Sequence, residues 1–264
     1  MSGLQLLAAG GQPVIPNFGQ APSCDTHNGT FCWGWFSSHV HSLFLPALLQ
    51  HIELTVIAVA IGFAISFVFA VFTYRTRMLD SPVTLLNGIL YAIPAIALFQ
   101  ILVPLTGLGI LTIEIALVAY TLLVLFRSMV TGLRSVPPDV IESAQGMGLT
   151  TRQIFVKIEL PFAIPAIVAG LRVAVVTTIS LATIAAFVTD KGLGMPIFDA
   201  MQRGNFKTEF IAAASLAVAL ALVMDGLLVV LQRVLAPWVA ADKQQRDRTP
   251  FTARLRRPAV SDAG

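Results

Sequence analysis

The sequence predicts an all-α integral membrane protein with five core transmembrane helices, and three observations carry that class. Hydrophobic residues make up 56% of the 264-residue chain and charged residues only 12%, where a soluble domain carries roughly a quarter charged. The apolar residues fall in blocks long enough to cross a bilayer core, which takes about 20 residues of helix, and mean hydropathy is +0.81. Lys and Arg gather between alternate blocks, the bias that orients membrane proteins.

Residues 1–41 read as an extracytoplasmic arm rich in Gly, Pro, Asn and Ser and poorly ordered. "LQLLAAGG" near its start has too short an apolar core, with no basic residue before it, for a signal peptide. Cys24 and Cys32 lie in this arm. Outside the cytoplasm they can form a disulfide; the alternative is two unpaired thiols. Residues 42–236 form the transmembrane domain. Ser42 to Ile52 is expected as a short interfacial helix, and the first span, Leu54 to Tyr74, contains no charge. The second lies in the uncharged interval between Asp80 and Glu114, as one helix near Pro82 to Leu105, with Thr106 to Gly109 as the turn. The third runs from about Ile110 to Val130, the fourth from about Pro161 to Val188 and the fifth from about Phe210 to Leu235. Residues 237–264 form a basic tail containing "RLRR", read as a segment at the cytoplasmic membrane surface rather than a nucleic-acid arm.

An N-terminus outside puts most of the 17 Lys and Arg in the cytoplasm. These are Arg75 and Arg77 after span one, Arg127, Arg134, Arg152 and Lys157 around the loop after span three, and the run from Arg233 onward. Lys191, Arg203 and Lys207 stay outside. The expected topology is N-out, C-in.

The loop at 135–161 is then cytoplasmic, and it is more elaborate than a connection needs. After "SVPPD", Asp139 and Glu142 have the spacing of a capping box, and Val140, Ile141, Ala144 and Met147 share a helix face. Gly146 and Gly148 end that helix, Gly148 as the left-handed cap. Thr150 and Gln153 form a second capping box, Ile154, Phe155 and Ile158 a second stripe, and Pro161 opens the next span. Two short amphipathic helices at a glycine corner are expected. Their apolar faces either pack on the protein's own spans and the lipid interface or insert into a groove on another protein.

The same stretch resembles the cytoplasmic motif of ABC-importer permeases: Glu-Ala-Ala, three residues, Gly, nine residues, Ile-x-Leu-Pro. Here the matching positions are Glu142, Ser143, Ala144, Gly148, Ile158, Leu160 and Pro161, with Ser143 replacing the first Ala. "AIPAIALFQILVPLTGLGI" from Ala92, and "ATIAAFV" followed by "GLG" between Ala182 and Gly194, resemble the second and fourth spans of permeases for glycine betaine, choline and carnitine. "TDKGLG", Thr189 to Gly194, departs from their more usual Gly-Ala-Gly-Gly-Leu-Gly at the outer gate. The resemblance covers roughly residues 54–235. It implies a type I importer fold like that of methionine importers, and a coupling helix that docks on an ATPase through residues 142–161, Phe155 included. It also implies two ATP-binding-cassette subunits, a second permease, identical or paralogous, and an extracytoplasmic solute-binding protein, in a bacterial cytoplasmic membrane. An amino acid such as methionine is the alternative substrate class. No Gly-x4-Gly-Lys-Ser/Thr loop occurs, so ATP and Mg are assigned to the partner subunit, with no cofactor in this chain. The chain also looks too short to append a solute-binding domain after its spans.

Arg172 and Asp225 are the deepest charges of spans four and five. Mutual pairing is favoured over substrate contact, because a lone charge in a bilayer is costly. Glu114 and Glu209 are expected at the outer interface. Thr177, Thr178, Ser180 and Thr183 either line a pathway or bond within and between helices. Tyr91 and Tyr120 can offer aromatic faces to a cation, although interfacial packing is the expected role. The spacing of Cys24, His27, Cys32, His39 and His41 fits no standard zinc pattern. No catalytic constellation is present, so the chain is not read as an enzyme. A membrane enzyme would cluster reactive groups at one depth, and a secondary transporter would show repeats.

Overall fold

The computed structural model describes residues 28–76 and 80–238. Its elements there are α1 (Trp33–His39), α2 (Leu45–Arg75), α3 (Asp80–Ala92), α4 (Ala95–Thr106), α5 (Ile110–Leu133), α6 (Pro138–Gly146), α7 (Thr151–Ile154), α8 (Leu160–Ile184), α9 (Gly194–Gln202) and α10 (Lys207–Leu235). Four helical stretches are long and apolar enough to cross a membrane, or five if the bent pair α3 and α4 is counted as one span.

Three of the expected boundaries are overturned. No break separates an interfacial helix from span one: α1, a π-helical turn at Val40–Phe44 and α2 run on as one rod. His51, within the stretch expected as interfacial, is fully buried in the bundle. Residues from Trp33 on are likewise ordered, with Cys32, Trp35 and Phe44 packed against Ala212 and Ala213 of α10.

Span two is not one helix, because α3 and α4 meet at 96°. Pro94 has no N–H to give the helix ladder and pushes Ile93 out of the helical region. The short "second coupling helix" is not separate either: α7 passes through a π-helical turn at Phe155–Glu159 into α8. In both rods the wide turn ends two residues before a proline. Leu45 N–H bonds to Val40 O ahead of Pro46, and Leu160 N–H bonds to Phe155 O ahead of Pro161. A proline ring clashes with the carbonyl four residues back in a regular helix, and the extra residue of a π turn lets each rod continue.

The core is built from α2, α5 and α8. One half is Leu54, Phe99, Ile113, Leu117 and Tyr120; the other, nearer α6, is Phe126, Met129, Leu133, Ala163 and Ile167. α10 packs on α8, and α9 on α10.

Candidate functional site

The polar stretch after span three forms a rigid corner. Pro137 is the N-cap of α6 and Pro138 its first helical residue, so Asp139 sits inside the first turn and caps nothing. Proline is pre-set for that first position, and it displaces the capping role expected of Asp139. Ser143 Oγ donates back to Asp139 O at 2.7 Å. The C-terminus closes as a Schellman motif: Leu149 N–H bonds to Ala144 O at 3.1 Å and Gly148 N–H to Gln145 O at 2.9 Å, with Gly148 at φ +81°. One residue later the capping box forms. Thr150 N–H donates to Gln153 Oε1 at 2.8 Å, and Gln153 N–H to Thr150 Oγ1 at 3.4 Å.

Both ends of the corner are therefore pinned, and α6 keeps an open apolar face. On α6, Ala144 is buried, Val140 is exposed and Met147 is 73% exposed. Glu142 and Ser143 are exposed beside them. The second stripe is spent inside the chain: Ile154 is buried, while Phe155 and Leu160 pack on the Phe126–Met129 cluster. Ile158 and Pro161 are half-buried. Phe155 and Leu160 thus hold the corner to the bundle, and α6 is the part that projects.

Sequence reasoning missed the clasp behind this corner. Tyr74 Oη donates to Glu159 Oε1 at 2.5 Å, and the Arg75 guanidinium stands over the Phe155 ring at 5.9 Å. The end of span one is thereby tied to the π turn that leads out of the corner. Tyr74, Arg75, Arg134, Thr151 and Glu159 surround a cleft of about 330 Å³. A buried carboxylate between Ile158 and Leu160 was the available signal.

Arg172 and Asp225 meet between α8 and α10 as a two-pronged pair, Nε to Oδ1 at 2.7 Å and Nη2 to Oδ2 at 2.8 Å. Each side chain keeps about a third of its surface exposed. Among the hydroxyls, Thr178 donates to Ala174 O, Ser180 to Val176 O and Thr183 to Ser180 O, each within its own helix. Thr177 is half-buried. Tyr91 is 42% exposed and stands edge-on to Tyr120 at 5.9 Å. Tyr120 is not interfacial: it is buried, and its hydroxyl donates to Ile93 O, fixing the α3–α4 break. Glu114 and Glu209 are also buried, against expectation. Glu209 lies 3.6 Å from Arg203, and neither oxygen of Glu114 has a hydrogen-bond partner among the described residues. Cys32 is buried, with its N–H on Thr208 Oγ1 at 2.9 Å. Cys24, the other half of the considered disulfide, lies outside the described residues, as do His27 and the basic tail. Among the described residues no group of three or more His, Cys, Asp or Glu is placed to hold a metal.

Comparison with known proteins sets this geometry in context. The family described as "Binding-protein-dependent transport system inner membrane component" matches residues 61–240. The osmoprotectant import permease OsmW of Salmonella typhimurium is 36% identical over 193 residues, covering 71% of this chain and 89% of the relative. The carnitine transport permease OpuCB of Listeria monocytogenes is 31% identical over 204 residues, covering 77% and 92%. Among solved structures, the MetNI methionine ABC transporter in inward-facing conformations superposes with a TM-score of 0.68 over 74% of this chain and 97% of that one. At 22% identity that last likeness speaks for the fold alone.

Proposed function

Because the chain belongs to the family of binding-protein-dependent transport inner-membrane components, we infer that it is the permease subunit of an ABC importer for a quaternary-ammonium osmoprotectant of the glycine betaine, choline or carnitine type. The observation that carries the substrate class is sequence identity of 36% and 31% to osmoprotectant and carnitine permeases, respectively, over most of both chains. The methionine alternative has only a fold likeness behind it.

In this reading the chain performs no bond chemistry. It supplies a path through the membrane and a handle on one side. The handle is α6, whose apolar face is open and whose corner is fixed by the Schellman motif and capping box. Two ATPase subunits, a second permease copy or paralogue and a solute-binding protein complete the importer. ATP and Mg sit in the ATPase. The N-terminus faces outside and the C-terminus the cytoplasm of a bacterial cell, because most of the Lys and Arg flank α6 and the C-terminal end.

Uptake by the reconstituted complex is the test. With its encoded ATPase and binding protein in proteoliposomes, it should accumulate labelled glycine betaine, choline or carnitine on addition of ATP. Accumulation of methionine with none of the three would overturn the substrate class.

A further inference from the structure

At the end of the bundle opposite the coupling corner, the loop between α8 and α9 is held by two adjacent side chains of span one, Gln50 and His51. Arg75, which marks the corner end, lies about 36 Å further along α2 at 1.5 Å per residue. His51 is fully buried. Leu193 N–H donates to its Nδ1 at 3.2 Å, and its Nε2 lies 3.0 Å from the Ile179 carbonyl oxygen of α8. Both bonds are met by one species: a neutral imidazole whose Nδ1 keeps its lone pair while Nε2–H donates. Beside it, Gln50 Oε1 accepts from Gly192 N–H at 3.2 Å.

The loop backbone is seated directly on the ring. Gly192 has φ +70°, and a Cβ there would stand 2.9 Å from His51 Nδ1. A Cβ on Gly194 would run into the Thr183 carbonyl. The amides of Gly192 and Leu193 thus find their acceptors on another span, so their bonding depends on where span one stands relative to the loop. Neutral hydrogen bonds of this kind are modest in net strength and can be exchanged for water when elements separate.

We propose that His51 is the positioning residue of a latch on the far end of the pathway. Its bonds to Leu193 and Ile179, with the Gln50–Gly192 bond, are made while that end is closed and broken when it opens to receive solute. The proposal rests on the importer reading, since an importer admits its solute at the end away from the ATPase.

The test is amide hydrogen exchange of the Gly192–Leu193 segment in the assembled transporter. It compares the nucleotide-free state with a state trapped by ATP on hydrolysis-blocked ATPase subunits, with loaded binding protein present. In the unaltered complex, exchange should be at least about tenfold faster in the trapped state. His51→Phe, which keeps a ring but no acceptor, should exchange fast in both states. His51→Asn, whose side-chain oxygen can take the place of Nδ1, should restore protection in the nucleotide-free state. Equal protection of the unaltered complex in both states would overturn the latch, as would full protection in His51→Phe. If His51→Phe does not assemble, the two-state comparison and the Asn variant decide. A complex that transports another solute yet shows state-dependent protection refutes the substrate reading and leaves the latch standing.

Discussion

Gly148→Val isolates the geometry of the corner from its chemistry. A Cβ at Gly148 would meet nothing within 4 Å. The cost that the structure shows lies in the backbone, because φ is +81°. Holding a residue with a Cβ in the left-handed region costs roughly 1–2 kcal/mol, and a β-branched side chain is the worst case. That is a factor of about 5–30 in the ratio of the Schellman corner to its alternatives. The control is built in. Gly146, two residues earlier, is helical and also faces open space, so Gly146→Ala should be neutral or stabilising by roughly 0.5–1 kcal/mol. The spans are untouched in both variants, so membrane levels should hold. The assay is ATPase co-purification and solute uptake, each normalised to permease in the membrane. Gly148→Val should lower both, by at most that factor of about 5–30, and Gly146→Ala should lower neither. Near-normal coupling in Gly148→Val, or equal loss in the two variants, would refute the reasoning.

Removing either Arg172 or Asp225 by alanine substitution should strand a charge and lower the amount of assembled permease, while the exchanged pair Arg172→Asp with Asp225→Arg should recover part of it. Equal loss in both singles with no recovery in the exchange would count against a paired role. A reporter active only in the cytoplasm, fused after Gly264, should be active; a stable but silent fusion would reverse the topology.

What was legible in the sequence was whatever depends on composition and local chemistry. Spans three and five and the end of span four were found within a few residues, because long uncharged blocks have few alternatives in a bilayer. The Thr150–Gln153 box and the left-handed Gly148 were equally local, and both are present. Failures came where one residue's constraint was weighed against a neighbour's. Pro94 was visible but was read as part of a span, although it bends span two by 96°. Pro161 was read as a boundary, yet the π turn before it carries the rod through. Asp139 was given a cap that two prolines had already taken. The sites that depend on distant chain segments left weaker traces. Tyr74 and Glu159 are 85 positions apart and meet in one hydrogen bond. His51 is 128 and 142 positions from Ile179 and Leu193, and nothing within its own window indicated either.

The continuity of the fourth rod changes what the corner can do. Had α7 been a separate short helix, a push on α6 would have ended in a flexible joint at Pro161. Instead the helix that starts at the Thr150 cap runs to Phe187, about 55 Å at 1.5 Å per residue, and ends next to the loop seated on His51. Span one lies alongside it and touches it at both ends, through Tyr74 on Glu159 and His51 on Ile179. On the latch proposal, a tilt imposed at the corner shifts the same two rods relative to each other at the far end once the His51–Ile179 bond is released. The bonds that register this position there are the ones to Gly192 and Leu193. Tyr74 and His51 thus hydrogen-bond span one to the fourth rod near its two ends, and on the latch proposal only the His51 bond is released when the far end opens.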